Sequence, residues 1–283
     1  MKATALCALV ASFEMHAASL EWARANSLYL KTEYRQSLEV LQAAPSKDSA
    51  TLQLIGQNLF MLGEYKKASD ALEKAAALDP NNAKLIHWLG RAYGRRAETS
   101  NPFSAPGLAA KTRQMFERAV ELDPTNKDAT GDLLDFYLDA PGFLGGGLRK
   151  AEALAQVILK QDPAEGHYAQ GIVADRKKEY DTAEEQFRRA AELAPRQVGH
   201  VLVLARYLAS HDHVAESDAL FEKASNMAPE NPRVMFDRAT TYIKEKRDLE
   251  SAKKLLERYL QSPLTPEDPP RERAEALLKR IGT

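Results

Sequence analysis

Gly63-Glu64-Tyr65-Lys66-Lys67-Ala68-Ser69-Asp70-Ala71-Leu72-Glu73-Lys74-Ala75-Ala76-Ala77-Leu78-Asp79-Pro80 returns as Lys178-Glu179-Tyr180-Asp181-Thr182-Ala183-Glu184-Glu185-Gln186-Phe187-Arg188-Arg189-Ala190-Ala191-Glu192-Leu193-Ala194-Pro195, and again around Phe221, Ala224 and Pro229. In each copy a small residue is followed four positions on by a large apolar one, then after three by alanine and after five by proline. Steps of three and four place those side chains on one face of a helix, and proline, which lacks an N–H, ends it. Recurrence of such a unit is the sequence mark of stacked-repeat architectures.

Upstream of each copy lies a second helical phrase: Leu54-Ile55-Gly56 with Leu59, Trp88-Leu89-Gly90 with Tyr93, and more loosely Leu204-Ala205. Gly56 to Pro80, Gly171 to Pro195 and Ala205 to Pro229 are each 24 residues apart, and Ala239 to Pro263 keeps that distance with Arg258 in the alanine place. From Gly90 to Pro124 the distance is 34, and from Leu134 to Pro163 it is 29, so two adjacent units carry insertions.

The pattern resembles the tetratricopeptide repeat over most of the chain. The resemblance implies an all-α, right-handed superhelical solenoid of antiparallel helix pairs, an A and a B helix per repeat, with a concave surface lined mainly by A helices. The register gives seven repeats at 18–48, 49–82, 83–126, 127–163, 164–197, 198–231 and 232–264. After the proline-rich stretch Pro263 to Pro270, residues Ala274, Leu277, Leu278 and Ile281 fall at helical spacing, so 265–283 reads as a terminal capping helix. No convincing period-two run occurs, and no sheet is expected.

Composition agrees with a folded domain of this kind: 283 residues, 44% hydrophobic and 28% charged. With 39 Lys and Arg against 40 Asp and Glu, no global field draws the chain to nucleic acid. The single cysteine, Cys7, excludes an internal disulfide, a Cys-x-x-Cys redox pair and a cysteine-rich zinc cluster. Lys2, the mostly apolar run Ala3 to Phe13 and small Ala17 and Ala18 read as a secretory leader over 1–17, which would place the mature protein in the periplasm or outside the cell. The alternative is a first amphipathic helix running on into Leu20-Glu21-Trp22, and a cytoplasmic protein. No stretch approaches the roughly 18 apolar residues of a membrane span.

For function, the resemblance implies a non-catalytic scaffold that holds a protein or peptide in the A-helix groove, without a cofactor or metal. In the family, fixed A-helix positions face that groove. Carried over, they fall on Gln53, Gln57, Phe60 and Met61, on Lys84, His87, Arg91 and Arg95, on Asp128, Asp135 and Asp139, on Glu165, Tyr168, Asp175 and Arg176, and on Leu202 and Arg206. Chaperone-binding members hold a C-terminal carboxylate with lysine, asparagine and arginine; here those places hold Gln53, Gln57 and Trp88, which argues against that activity.

Both insertions should fall between helix A and helix B. Ser100 to Gly107 and Ala140 to Gly147 each present an aromatic among turn-forming Pro and Gly. Pro141-Gly142-Phe143-Leu144-Gly145-Gly146-Gly147, with Gly94-Arg95-Arg96-Ala97-Glu98, is similar to a poorly characterised bacterial group of tetratricopeptide proteins, a likeness that lends no activity. Phe103, Phe143 and Leu144 are expected either to form an apolar ledge beside Arg91, Arg95, Asp135 and Asp139, making a peptide site with His87, Tyr168 and Arg176, or only to pack on each other. A structural or oligomerising module of an envelope complex is the second reading. A carboxylate enzyme built on Asp135 and Asp139 is the weakest, because an open groove rarely supplies the pocket that shifts an acid's pKa. His211-Asp212-His213 reads as a solvated turn and not a metal pair, and His167 and His200 as packing residues.

Overall fold

The computed structural model describes residues 20–44 and 47–282, all of them helical, turn or loop, with no strand among them. The leader reading of 1–17, and Cys7 with it, lies outside the described residues. Fifteen α-helices follow in order: α1 (residues 20–30), α2 (Tyr34–Ala43), α3 (Ser49–Met61), α4 (Tyr65–Leu78), α5 (Ala83–Thr99), α6 (Ala105–Leu122), α7 (Lys127–Asp139), α8 (Leu148–Gln161), α9 (Pro163–Arg176), α10 (Tyr180–Leu193), α11 (Val198–Ala209), α12 (Val214–Met227), α13 (Pro232–Lys244), α14 (Leu249–Gln261) and α15 (Arg271–Ile281). They group into two compact units, residues 1–133 with 143–145, and residues 134–142 with 146–283.

In the first unit α3 packs on α4, α4 on α5, and α5 on α6. The small residues of the repeat sit where paired helices cross. A Cβ built on Gly56 would lie 2.5 Å from Leu72 Cγ, and one on Gly90 would lie 2.6 Å from the Phe116 ring. The second unit repeats this, with α9 on α10, α11 on α12 and α13 on α14. There Phe187 and Phe221 are buried at 4% and 0% exposure, beneath Gly171 and Ala205 respectively. Large side chains thus fill the groove that a missing side chain opens, and interiors this dense tolerate little change of volume.

Five A-to-B turns share one solution. Thr32, Gly63, Lys178, Asp212 and Lys246 are all left-handed, with φ between 51° and 76°. Each stands seven residues beyond the small residue of its A helix, from Ala25 to Ala239. In each the residue after the left-handed one donates its N–H to the carbonyl five back, as in Glu64 to Leu59, Glu179 to Ala174 and His213 to Leu208. This closes the last turn of the A helix in the Schellman manner.

The two expanded units depart from that turn in different ways. α5 and α6 run to 17 and 18 residues where α3 and α4 have 13 and 14, so the first insertion mostly lengthens helices. Pro106 and Gly107, expected in a turn, lie in the first turn of α6, where a proline costs no hydrogen bond because the first N–H groups have no helical partner. The loop shrinks to residues 100–104. The second insertion is a true loop, residues 140–147, with a short 3₁₀ turn at Gly142–Leu144 between helices of ordinary length. A Cβ on Gly146 would meet the Ala140 carbonyl oxygen at 1.9 Å, and Gly147 has φ 134°, so glycine is required at both.

Most A helices begin at an aspartate or asparagine cap. Asp48, Asn82, Asn126 and Asn231 each accept from a backbone N–H two or three residues on. Asp162 serves twice: its N–H caps α8 by donating to Ile158, and its side chain accepts from Ala164 and Glu165 at the head of α9. α8 therefore runs into α9 with no linker, and a Cβ on Gly166 would lie 2.1 Å from Leu159 Cα. At the far end α15 packs on α13 and α14 with Ala274 fully buried. Tyr259 donates its hydroxyl to the Pro269 carbonyl, and Arg271 donates to the carbonyls of Leu260 and Ser262, which α14 leaves unpaired.

Candidate functional site

In the first unit the groove residues of α5 lie on one face at steps of four. His87 is 3% exposed, and its Nε2 stands 2.7 Å from Asp132 Oδ2. Arg91 places its Nε 3.7 Å from the same oxygen and its guanidinium 4.3 Å from the centre of the Trp88 ring and 5.1 Å from that of Phe60. Phe60 in turn meets Trp88 and Tyr65 edge-on, both at 5.4 Å. Arg95 stacks on Tyr65 at 5.2 Å, donates to its hydroxyl and pairs with Glu98. The hydrogen bond that Arg95 donates to Tyr65, with the Glu98 charge, holds its guanidinium above its ordinary pKa, against the cost of its partial burial. His87, Arg91 and Arg95 thus form one arginine and aromatic face. Asp132, which holds two of them, stands outside the family positions from which the sequence reading was built.

The loop aromatics are bare. Phe103 is 98% exposed and Phe143 84%. Side chains so exposed seal nothing, while Leu144, which follows Phe143 in the chain, is half-buried. Asn101 accepts from the N–H groups of Phe103 and Ser104 and fixes the loop that carries the first ring.

In the second unit Asp139 is paired with Arg176, whose guanidinium donates to its Oδ1 at 2.6 Å and to the Leu138 carbonyl at 2.9 Å. Asp135 lies exposed on the same helix. Tyr168 is half-buried against Phe187 and His200, with ring centres 6.2 and 5.8 Å away, and burial followed by the Asp135 charge raises its phenol above the ordinary range. His200 is 6% exposed, and its Nε2, 3.5 Å from Glu165 Oε1, has no hydrogen-bond partner.

Around these residues the A helices of the second unit enclose two adjoining concavities. One of about 270 Å³ lies over α9, α11 and α13 and includes Glu165, Tyr168 and His200. The other, about 480 Å³, lies over α11 and α13 and reaches Pro269 and Arg273 at α15. Val203, Arg206, Arg233 and Asp237 line both. Asp237, 5% exposed, accepts from Arg206 Nη1 at 2.6 Å and from Arg233 Nε at 3.1 Å, so one buried carboxylate fixes two arginines on the concave wall. Of these, Tyr168 and Arg206 are among the groove positions carried over from the repeat register; Arg233 holds in the last unit the place of Lys84 and Glu165, to which the carry-over did not extend, and Asp237 and Arg273 lie outside those positions.

A family model described as TPR repeat matches residues 56–96, and one described as Tetratricopeptide repeat matches residues 164–197. The described helix pairs stack as a tetratricopeptide-repeat solenoid. Solved structures agree on the fold. A tetratricopeptide repeat protein from Parabacteroides merdae superposes with a TM-score of 0.59 at 16% identity, over 95% of this chain and 100% of that one. A thermophilic TPR protein from Thermus thermophilus gives 0.53 at 19% identity, over 68% and 98%. Human IFIT1, solved as a dimer with PPP-AAAA, gives 0.54 at 17%, over 86% of this chain and 55% of its own. Among curated proteins none matches the sequence.

Proposed function

We propose that this protein is a non-catalytic scaffold that holds a segment of a partner protein against the concave A-helix surface, with the second unit as the principal seat. The observation that carries the reading is the pair of adjoining concavities over α9, α11 and α13, where polar side chains stand half-exposed above a core filled by Phe187, Phe221 and Phe236. Concave, largely preformed surfaces with a few convergent polar groups are where ligands bind. Asp135 and Asp139 do not converge on a closed pocket of the kind acid catalysis needs: Asp139 is tied to Arg176, and Asp135 is exposed.

Charge reversal separates this reading from association through other faces. Arg206→Glu with Arg233→Glu alters the concave wall, while Lys253→Glu with Lys254→Glu alters the exposed face of α14. In affinity capture followed by identification of bound proteins, the first pair loses the partner and the second retains it. Equal recovery from both variants removes the concave surface from the function. The leader reading of residues 1–17 adds a compartment, the periplasm of a bacterium, and intact-mass measurement of the mature protein from its host tests it: an uncleaved N-terminus rejects it.

A further inference from the structure

The larger concavity has an uneven charge. Four cationic side chains, Arg206, Arg233, Lys244 and Arg273, line it against two carboxylates, Asp237 and Glu245, in a chain whose net charge is only -1. The excess is not cancelled locally. Asp237 is shared between Arg206 and Arg233, Glu245 stands 3.7 Å from Lys244, and Arg273 reaches no carboxylate among the described residues and instead lies over the Phe236 ring at 5.3 Å. The neighbouring smaller concavity, with Glu165 and Asp237 against Arg206 and Arg233, is balanced. The surplus therefore sits at the α13 and α15 end.

We propose that this end of the concave surface binds an acidic segment within a partner chain, its side-chain carboxylates meeting Arg233, Lys244 and Arg273. The proposal rests on the scaffold reading and names the chemistry of the partner. Spacing favours side chains over a chain terminus. Arg233 and Lys244 are 11 residues apart on one helix, a rise of about 16 Å, and a single terminal carboxylate cannot reach both. An extended segment covers that span in about five residues, so carboxylates four or five positions apart would meet the two ends. Arg206 and Arg233 are held in place by Asp237 before any ligand arrives, which lowers the ordering cost of binding. Thr240 lies between Arg233 and Lys244 on α13 and lines the same wall; its hydroxyl donates to the Phe236 carbonyl and keeps a lone pair to accept from a backbone N–H of the segment.

The test uses the full chain and three labelled peptides followed by fluorescence anisotropy. One peptide carries glutamates five apart among alanine and serine with an amidated C-terminus; the second replaces glutamate by lysine; the third has no charged side chain and a free C-terminal carboxylate. The acidic peptide is expected to bind with an affinity that falls as salt rises. Arg273→Gln and Lys244→Gln, both at exposed positions, should each weaken it about three- to tenfold, and Lys253→Gln on α14 should not. Circular dichroism of each variant shows that the fold is kept. Equal binding of acidic and lysine peptides, indifference to the two substitutions, or equal binding of the uncharged peptide through its terminus overturns the proposal. A photo-crosslinker at Thr240 distinguishes the two levels: partners trapped there through segments without acidic residues overturn the acidic site and leave the scaffold standing, whereas failure of the concave charge reversals to affect partner capture removes both.

Discussion

Gly171 and Phe187 occupy one another's space: a Cβ on the glycine would stand 2.5 Å from Cε1 of the ring. Phe187 is 4% exposed and packs at 5.0 Å on Tyr207, so it can yield only toward the concavity it borders. Gly171→Ala should therefore cost about 1–3 kcal/mol despite alanine's better helix propensity. Gly131→Ala in α7, where a Cβ meets nothing within 4 Å, should instead gain about 0.5–1 kcal/mol. Urea denaturation of both variants checks the pair, and a stabilised Gly171→Ala protein would show that the ring is not confined.

The recurring left-handed turn makes a second, independent prediction. Lys178 has φ 63° and Gly63 φ 76° at equivalent places. A side chain in this region meets the adjoining carbonyl, at a cost of roughly 1–2 kcal/mol that glycine does not bear. Lys178→Gly should stabilise the second unit by about 0.5–1 kcal/mol, and Gly63→Ala should destabilise the first by a similar amount. Denaturant midpoints read both, with slopes compared to confirm that the same surface unfolds.

The scaffold was legible because repetition multiplies a weak signal. The distance of 24 residues from Gly56 to Pro80 and from Gly171 to Pro195 reports a helix, a fixed turn and a second helix, whatever the surface residues are. Family positions of the A helix likewise led to Tyr168 and Arg206. Arg233 stands six residues before Ala239, as Lys84 and Glu165 stand before Gly90 and Gly171, but the groove positions were carried only as far as the sixth unit, and Asp237 falls on none of them. Arg273 belongs to no repeat, and its approach depends on how α15 folds back. The fate of Pro106 was misjudged for a different reason: a proline within a longer spacing signals a turn and a helix start equally. Gly166 carried no sequence signal, since its need follows from the missing linker between α8 and α9.

Two buried phenols set a limit at high pH. Burial, and next the Asp175 charge, push Tyr207 up to about 12, and burial followed by Asp268 does the same for Tyr259. Both donate their hydroxyl to a backbone carbonyl, Tyr180 for Tyr207 and Pro269 for Tyr259, a bond the phenolate cannot make. A folded-state value above the ordinary 10 means that the native state holds the proton more tightly. The associated stability is complete below about pH 10 and is lost as pH rises from there through about 12. Absorbance titration should show a class of tyrosines that ionise late and together with unfolding, and Tyr259→Phe should remove part of that alkaline sensitivity.

Asp237 is the keystone of the concave wall, and its two arginines are not equivalent to it. Removing Arg206 leaves the carboxylate bonded to Arg233, and Arg206 is itself about a third exposed, so Arg206→Ala should cost under about 1 kcal/mol. Removing the carboxylate leaves two guanidinium groups side by side with no counter-charge between them and empties a buried position. Asp237→Ala should cost about 1.5–3 kcal/mol, with the loss centred on α13. Because the chain has two compact units, a global melt gives the size of the loss but not its place. Hydrogen exchange resolved by segment gives the place: faster exchange in α11 and α13 with α3 to α5 unchanged is the expected result, and equal acceleration in Arg206→Ala would place the stability in the arginines instead.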